Sequence, residues 1–129
     1  MAKQSENFPQ NVISFDPGFT TGVALYKNRE LYLQLSIDRK HINSHFLIAL
    51  HSFISPDIVL VEQPPSAAKF NVQEHAEIVN TIVEFFRKHS VLVNMIKPGS
   101  WKKMVKRSTF DSTHIKDATD MANWFIGGL

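Results

Sequence analysis

The sequence predicts an α/β domain built on a mixed five-stranded sheet, three antiparallel strands followed by parallel ones, with helices on both faces. Three observations predict it. Two short apolar runs, Val12-Ile13-Ser14-Phe15 and Ile58-Val59-Leu60-Val61, each end in an acid and a proline break. Two further runs flank Asn28-Arg29 and read as a hairpin. Beyond residue 38, segments with helical spacing alternate with apolar strands, the pattern of parallel sheets.

The elements follow in order. Residues 11–16 form the first strand, and Asp16 stands where it leaves the core. Pro17-Gly18 turns the chain, and Gly18 and Gly22 supply conformations that other residues tolerate poorly. Residues 22–27 and 30–37 are the next two strands, with Leu31, Leu33 and Leu35 alternating against Tyr32, Gln34 and Ser36. Asp38 can cap a helix over residues 39–53, with Ile42, Phe46, Ala49, Leu50 and Phe53 on its apolar side. His41 and His45 lie four apart on that helix, spaced like a metal pair but with no third ligand near in sequence, so a solvated face is the plainer reading. Residues 58–61 form a strand buried on both faces, leading into Glu62 and stopped by Pro64-Pro65.

Residues 66–71 are a loop carrying Lys69 and Phe70. The longest helical pattern covers residues 72–89, with Ala76, Val79, Ile82, Val83 and Phe86 on one side. Ile78 and Phe85 widen that stripe, which suits either deep burial or a second subunit. Residues 91–96 are the fifth strand, followed by a short helix over 101–106. The final helix starts near residue 112 or 113 and runs to Gly127-Gly128. Along it His114, Asp117 and Asp120 recur every three residues, while Ala118, Met121, Ala122 and Phe125 can face the sheet.

Composition narrows the classes. The 129 residues make one domain at 11–129 behind a polar tail at 1–10, which has no apolar signal segment. Without cysteine there is neither a disulfide framework nor a thiolate metal site. No apolar run is long enough to span a bilayer. The net charge of +2 does not demand a nucleic-acid partner, but Lys97, Lys102, Lys103, Lys106 and Arg107 fall in one short segment.

Asp16, Glu62, Asp117 and Asp120, if gathered, would repel strongly without cations. Oxygen-only ligands select Mg²⁺ or Mn²⁺. Two such ions about 4 Å apart can activate a water and stabilise the leaving oxygen of a phosphoryl displacement. The basic segment would then hold a phosphate backbone.

ISFDPGFTTGVAL, DIVLVEQPP, VNMIKPGSWKKMV and HIKDATDMA together resemble the RuvC-type Holliday-junction resolvases of the ribonuclease-H-like nuclease superfamily. They come in family order and sample nearly the whole chain. The resemblance implies a ribonuclease-H-like fold and a homodimer, here assigned to the 72–89 helix, that resolves four-way DNA junctions by paired, metal-dependent nicks. Asp16 and Glu62 fall on the family's strand-end acids, and Asp117 and Asp120 on its terminal D-x-x-D pair. His114 with Asp117 fits a second register in which His replaces the first acid and Asp120 becomes peripheral. Phe70 is a candidate wedge at the junction centre, with Lys69 beside it. The short chain implies a compact phage or viral-like member acting in a host cytoplasm. Three other readings use the same residues. One is a nuclease for other branched DNA, RNA–DNA hybrids or structured RNA, and one is a non-catalytic junction binder. The third takes D-x-G-x-T-x-G as an actin-like phosphate loop, a fold that needs two such domains.

Overall fold

The computed structural model describes residues 10–63 and 72–97, with 119 and 122. The β-branched and aromatic run of β1 (Val12–Asp16) is buried along its whole length, as is β4 (Ile58–Glu62). Strands that bury both faces belong in the middle of a sheet. The order is β3-β2-β1-β4-β5, with β2 (Thr20–Lys27) and β3 (Glu30–Asp38) antiparallel on one side and β5 (Leu92–Ile96) parallel on the other. The predicted mixed five-stranded sheet is the one observed.

The hairpin turn is Asn28-Arg29. Both residues have positive φ, 54° and 68°, the left-handed pair whose twist matches that of the flanking strands. At the same end of the sheet, where β1 begins, the Asp57 carboxylate accepts from the backbone N–H groups of Gln10 (2.9 Å) and Asn11 (2.8 Å). That clamp fixes where β4 starts against β1, and so fixes the register of the parallel pair.

The helix expected over residues 39–53 is divided. A single 3-10 turn (Arg39–His41) follows Asp38, whose Oδ1 accepts from the Lys40 N–H at 3.0 Å. A second cap, Asn43, then accepts from the Phe46 N–H at 3.0 Å and opens α1 (Ser44–Ile54). Asn is among the best N-cap residues, so the chain stops and restarts there. The division rotates the apolar stripe. Leu47, Leu50 and Ile54 are buried, whereas Ala49 and Phe53 are exposed. It also removes the helical spacing of His41 and His45, both of which are exposed.

The alternation in β3 is broken as well. Leu25 pairs with Leu33 but Tyr26 pairs with Leu31, so Tyr32 is an extra residue in a bulge. The Tyr32 ring reaches Phe53 of α1, centroids 5.4 Å apart. β3 is an edge strand, and Leu31, Tyr32 and Leu33 stay largely exposed.

α2 (Val72–Lys88) covers the same sheet face as α1. Ile13, Phe15, Val59 and Val61 pack there against Leu47, Leu50, Ile54, Ile78, Val79, Ile82 and Phe86. The wide stripe on α2 is largely used within the chain. Ile78 is buried, and Phe85 is half-buried, stacked on His89 (4.2 Å) and edge-on to His51 of α1 (6.4 Å). Both residues are thus covered within the chain; Leu31, Tyr32, Leu33, Ile48 and Phe53, on β3 and α1, are the exposed apolar side chains of the hairpin and first helix.

The opposite sheet face carries Val12, Ala24, Tyr26, Ile58, Leu60 and Ile96, which cluster with Ala122 of the C-terminal segment. Ala122 is fully buried there, as its small side chain allows, and Thr119 is also buried. Helical structure thus lies on both faces.

Candidate active site

Strand alternation decides where the acids point. Phe15 and Val61 face α1 and α2, so Asp16 and Glu62, one residue on, face the side that carries Thr119 and Ala122. The β1–β4 ladder pairs Val12 with Ile58 and ends at Phe15 with Val61. One further step sets Asp16 beside Glu62 on neighbouring strands, which run about 4.8 Å apart. Asp16 is 5% exposed and Glu62 8%. Two acids far apart in the sequence thus share one row, one face and one end of the sheet.

The row continues on both sides. Gly22 pairs with Asp16 and Ser36 pairs with Gly22, while Ile96 pairs with Glu62. Gly22 lies inside β2 rather than in the turn before it. Its function here is the missing side chain, which leaves space beside the Asp16 carboxylate on its open flank. Behind Asp16, Ser14 is fully buried next to Ala24 and Leu60, with its hydroxyl unpartnered among the described residues.

The row sits at the carboxyl ends of β1 and β4. From there the chain leaves in opposite directions, β1 toward β2 and β4 toward β5. Such divergence points form the crevices in which α/β sheets bind ligands. Lys97 is exposed just past β5, whose last residue, Ile96, pairs with Glu62, so one predicted phosphate-binding lysine stands at the acid end.

Among the described residues, a buried hydrogen bond ties the opposing segment to the sheet. Tyr26, 2% exposed, donates its hydroxyl to the Thr119 carbonyl at 3.2 Å. Tyr26→Phe is expected to lower stability by about 1 kcal/mol. In a thermal melt that is a drop of about 4 °C, and an unchanged midpoint would show the bond to be dispensable.

His114, Asp117 and Asp120 lie outside the described residues, as do Lys69, Phe70, Lys102, Lys103, Lys106 and Arg107, the 1–9 tail and the short helix at 101–106. Among the described residues no three His, Cys, Asp or Glu side chains cluster as a metal site. The donor chemistry of the pair itself suits a hard divalent cation. It offers only carboxylate oxygens, nine-tenths buried, with a glycine leaving room at their side.

No protein-family profile and no curated protein matches the chain. Solved structures do. Thermus thermophilus RuvC in complex with a Holliday-junction substrate superposes at a TM-score of 0.68, with 16% identity over 89% of this chain and 91% of that one.

The fold is that of the RuvC resolvases.

The fowlpox virus resolvase, solved with Holliday-junction DNA, shares it at a TM-score of 0.56, with 15% identity over 92% of this chain and 99% of that one. The yeast mitochondrial Holliday-junction resolvase shares it at 0.55, with 11% identity over 89% and 65%. In the RuvC fold as this chain builds it, Asp16 and Glu62 are the described acids that the sheet brings together at its carboxyl end. The sequence reading of this pair rested on two strands that each end in an acid. The sheet order adds that those strands are neighbours, and parallel ones. Phe19 and Arg39, far apart in the sequence and marked by no motif, also meet at this end of the sheet. The available signal was a large aromatic residue placed between Gly18 and Gly22.

Proposed function

We propose that this protein is a divalent-metal-dependent endonuclease that resolves four-way DNA junctions. One observation carries the reading: two buried acids end neighbouring parallel strands on one face, at the open end of a sheet with the resolvase fold. Burying two like charges side by side is unfavourable unless a cation or a shared proton compensates, and a binder of anionic DNA gains nothing from them. Asp16 and Glu62 would hold Mg²⁺ or Mn²⁺ together with Asp117 and Asp120, or with His114 in place of one of them. The bound cations would supply Lewis-acid stabilisation at the scissile phosphate and lower the pKa of the attacking water.

The chain's own residues do the rest. Asp16 and Glu62 are fixed by strand backbone on both sides, so their oxygens are positioned before substrate arrives. Gly22 keeps the approach beside Asp16 clear. Lys97, with Lys102, Lys103, Lys106 and Arg107, neutralises backbone phosphates, and Lys69 and Phe70 meet the junction centre. A four-way junction has two strands to cut, so two copies act as a symmetric dimer. We assign that pairing to the 72–89 helix; the outward side of α2 carries Gln73, Glu77, Asn80 and Glu84, so the interface would be polar. The natural setting would be the cytoplasm of a host cell, as for a phage-encoded enzyme.

The test is cleavage of a labelled synthetic four-way junction beside a matched linear duplex and an RNA–DNA hybrid. Paired nicks in Mg²⁺ or Mn²⁺, lost in EDTA and absent from the linear duplex, are expected. Preferred cutting of the hybrid would move the substrate to RNA. Tight junction binding without cleavage in either metal would make the protein a binding module.

A further inference from the structure

Phe19 follows Asp16 by three residues and is 57% exposed. An exposed ring offers a flat apolar face on which a second flat group can stack. Its surroundings are built. The Phe19 carbonyl accepts from the Arg39 N–H at 2.9 Å, which pins the β1–β2 turn to the end of β3. The Arg39 guanidinium lies over the ring, 4.8 Å from its centroid. Glu74, in the first turn of α2, accepts from Arg39 Nη1 and holds the guanidinium in place. Three separate elements therefore converge on one exposed ring.

The place matters as much as the composition. Phe19 is on the turn that leaves β1, Arg39 on the turn that leaves β3, and Glu74 on the helix that follows β4. All three stand at the carboxyl end of the sheet, as Asp16 and Glu62 do, with Glu74 on the face that α1 and α2 cover and the two carboxylates on the opposite one. Three residues of chain span at most about 11 Å from Cα to Cα, so the Phe19 backbone stays within several nucleotides' rise of Asp16. Glu74 occupies one nitrogen of Arg39, and the guanidinium carries further N–H donors on Nε and Nη2 that can meet a second anion.

We propose that Phe19 and Arg39 form a nucleotide platform at the same end of the sheet as the acid pair: an unpaired base of the substrate strand stacks on Phe19, and Arg39, presented by Glu74, holds the adjoining phosphate. An exposed aromatic ring beside an arginine is the combination that grips single-stranded nucleic acid without reading its sequence. The strands that cross at a branch point supply unpaired or easily unstacked nucleotides, which a continuous duplex does not. The platform rests on the nuclease reading and adds to it the residues that favour branched over linear DNA. Glu74 is a positioning residue in this arrangement.

The test is photocrosslinking with the wild-type protein. A four-way junction carrying 5-iodouracil at successive positions around the branch is bound in EDTA, irradiated, and the adducts are mapped by mass spectrometry. An adduct on Phe19 from one or two adjoining positions is expected. Phe19→Ala should abolish it and weaken junction binding about ten-fold, while Phe19→Trp keeps both. Arg39→Ala should reduce the slope of log affinity against log salt by about one, a change that a purely structural role would not produce. Phe19 is exposed, so its variants are expected to melt with the wild type. If the wild-type protein cuts junctions in Mg²⁺ but no adduct reaches Phe19 and Phe19→Ala binds normally, the platform is wrong and the nuclease reading stands. If the wild-type protein neither binds nor cuts the junction, both fall together.

Discussion

Asp16→Asn is expected to abolish junction cleavage while leaving the fold intact. The substitution keeps the shape and size of the side chain and removes one of two adjacent buried charges. Losing one preorganised charged group from a reaction site costs about 10²–10³-fold in rate, and more where it also holds the cation. Stability should respond in the opposite sense. Without divalent metal the like charge on Glu62 no longer faces a neighbour, so the melting temperature should hold within about 2 °C or rise. The pair of measurements is diagnostic: residues kept for function often weaken the fold that carries them. A variant that still cuts at close to the wild-type rate would remove Asp16 from the chemistry. One that loses activity because it has unfolded would show the charge to be structural.

The largest effect on stability is expected from Phe86→Ala. Phe86 is fully buried on α2, 6.0 Å ring to ring from Phe15 of β1 and 5.0 Å from Phe85. Truncating a buried phenylalanine removes its transfer free energy and leaves a cavity, together about 3–5 kcal/mol. Small domains have about 5–15 kcal/mol in all. At about 4 °C per kcal/mol for a chain of this size, the midpoint should fall by about 12–20 °C in a thermal melt. Phe15 faces α2, away from the acids that flank its strand end. Cleavage by the folded fraction at low temperature should therefore survive, in contrast to Asp16→Asn. A fall of only a few degrees would mean that the neighbouring side chains close the space.

What was legible in the sequence was local. The strand ends at Asp16 and Glu62, the Asn28-Arg29 turn and the apolar side of α2 each follow from a few consecutive residues. The sheet order did not follow in the same way. Nothing in the periodicity of β1 and β4 says that they are neighbours; burial along their full length says only that both are central. The break at Asn43 was missed because a helical stripe reads through it, although Asn43-Ser44 is a sound capping signal. The bulge at Tyr32 and the exposed face of β3 depend on where the edge of the sheet falls, which is a property of the whole fold. Gly22 was read as a turn residue, and its place opposite Asp16 appears only once the register is known. The meeting of Phe19, Arg39 and Glu74 is likewise tertiary, since the three come from the β1–β2 turn, the turn after β3 and α2.

The parallel seam between the first and fourth strands has a consequence for the order of events as the protein is made. During synthesis the hairpin can form as soon as its own residues emerge, but Asp16 then has no carboxylate neighbour. Glu62 arrives only after the intervening helix, and the long loop must close before the two meet. A half-made chain therefore presents one acid without the other, and the pair exists only once β4 has joined β1.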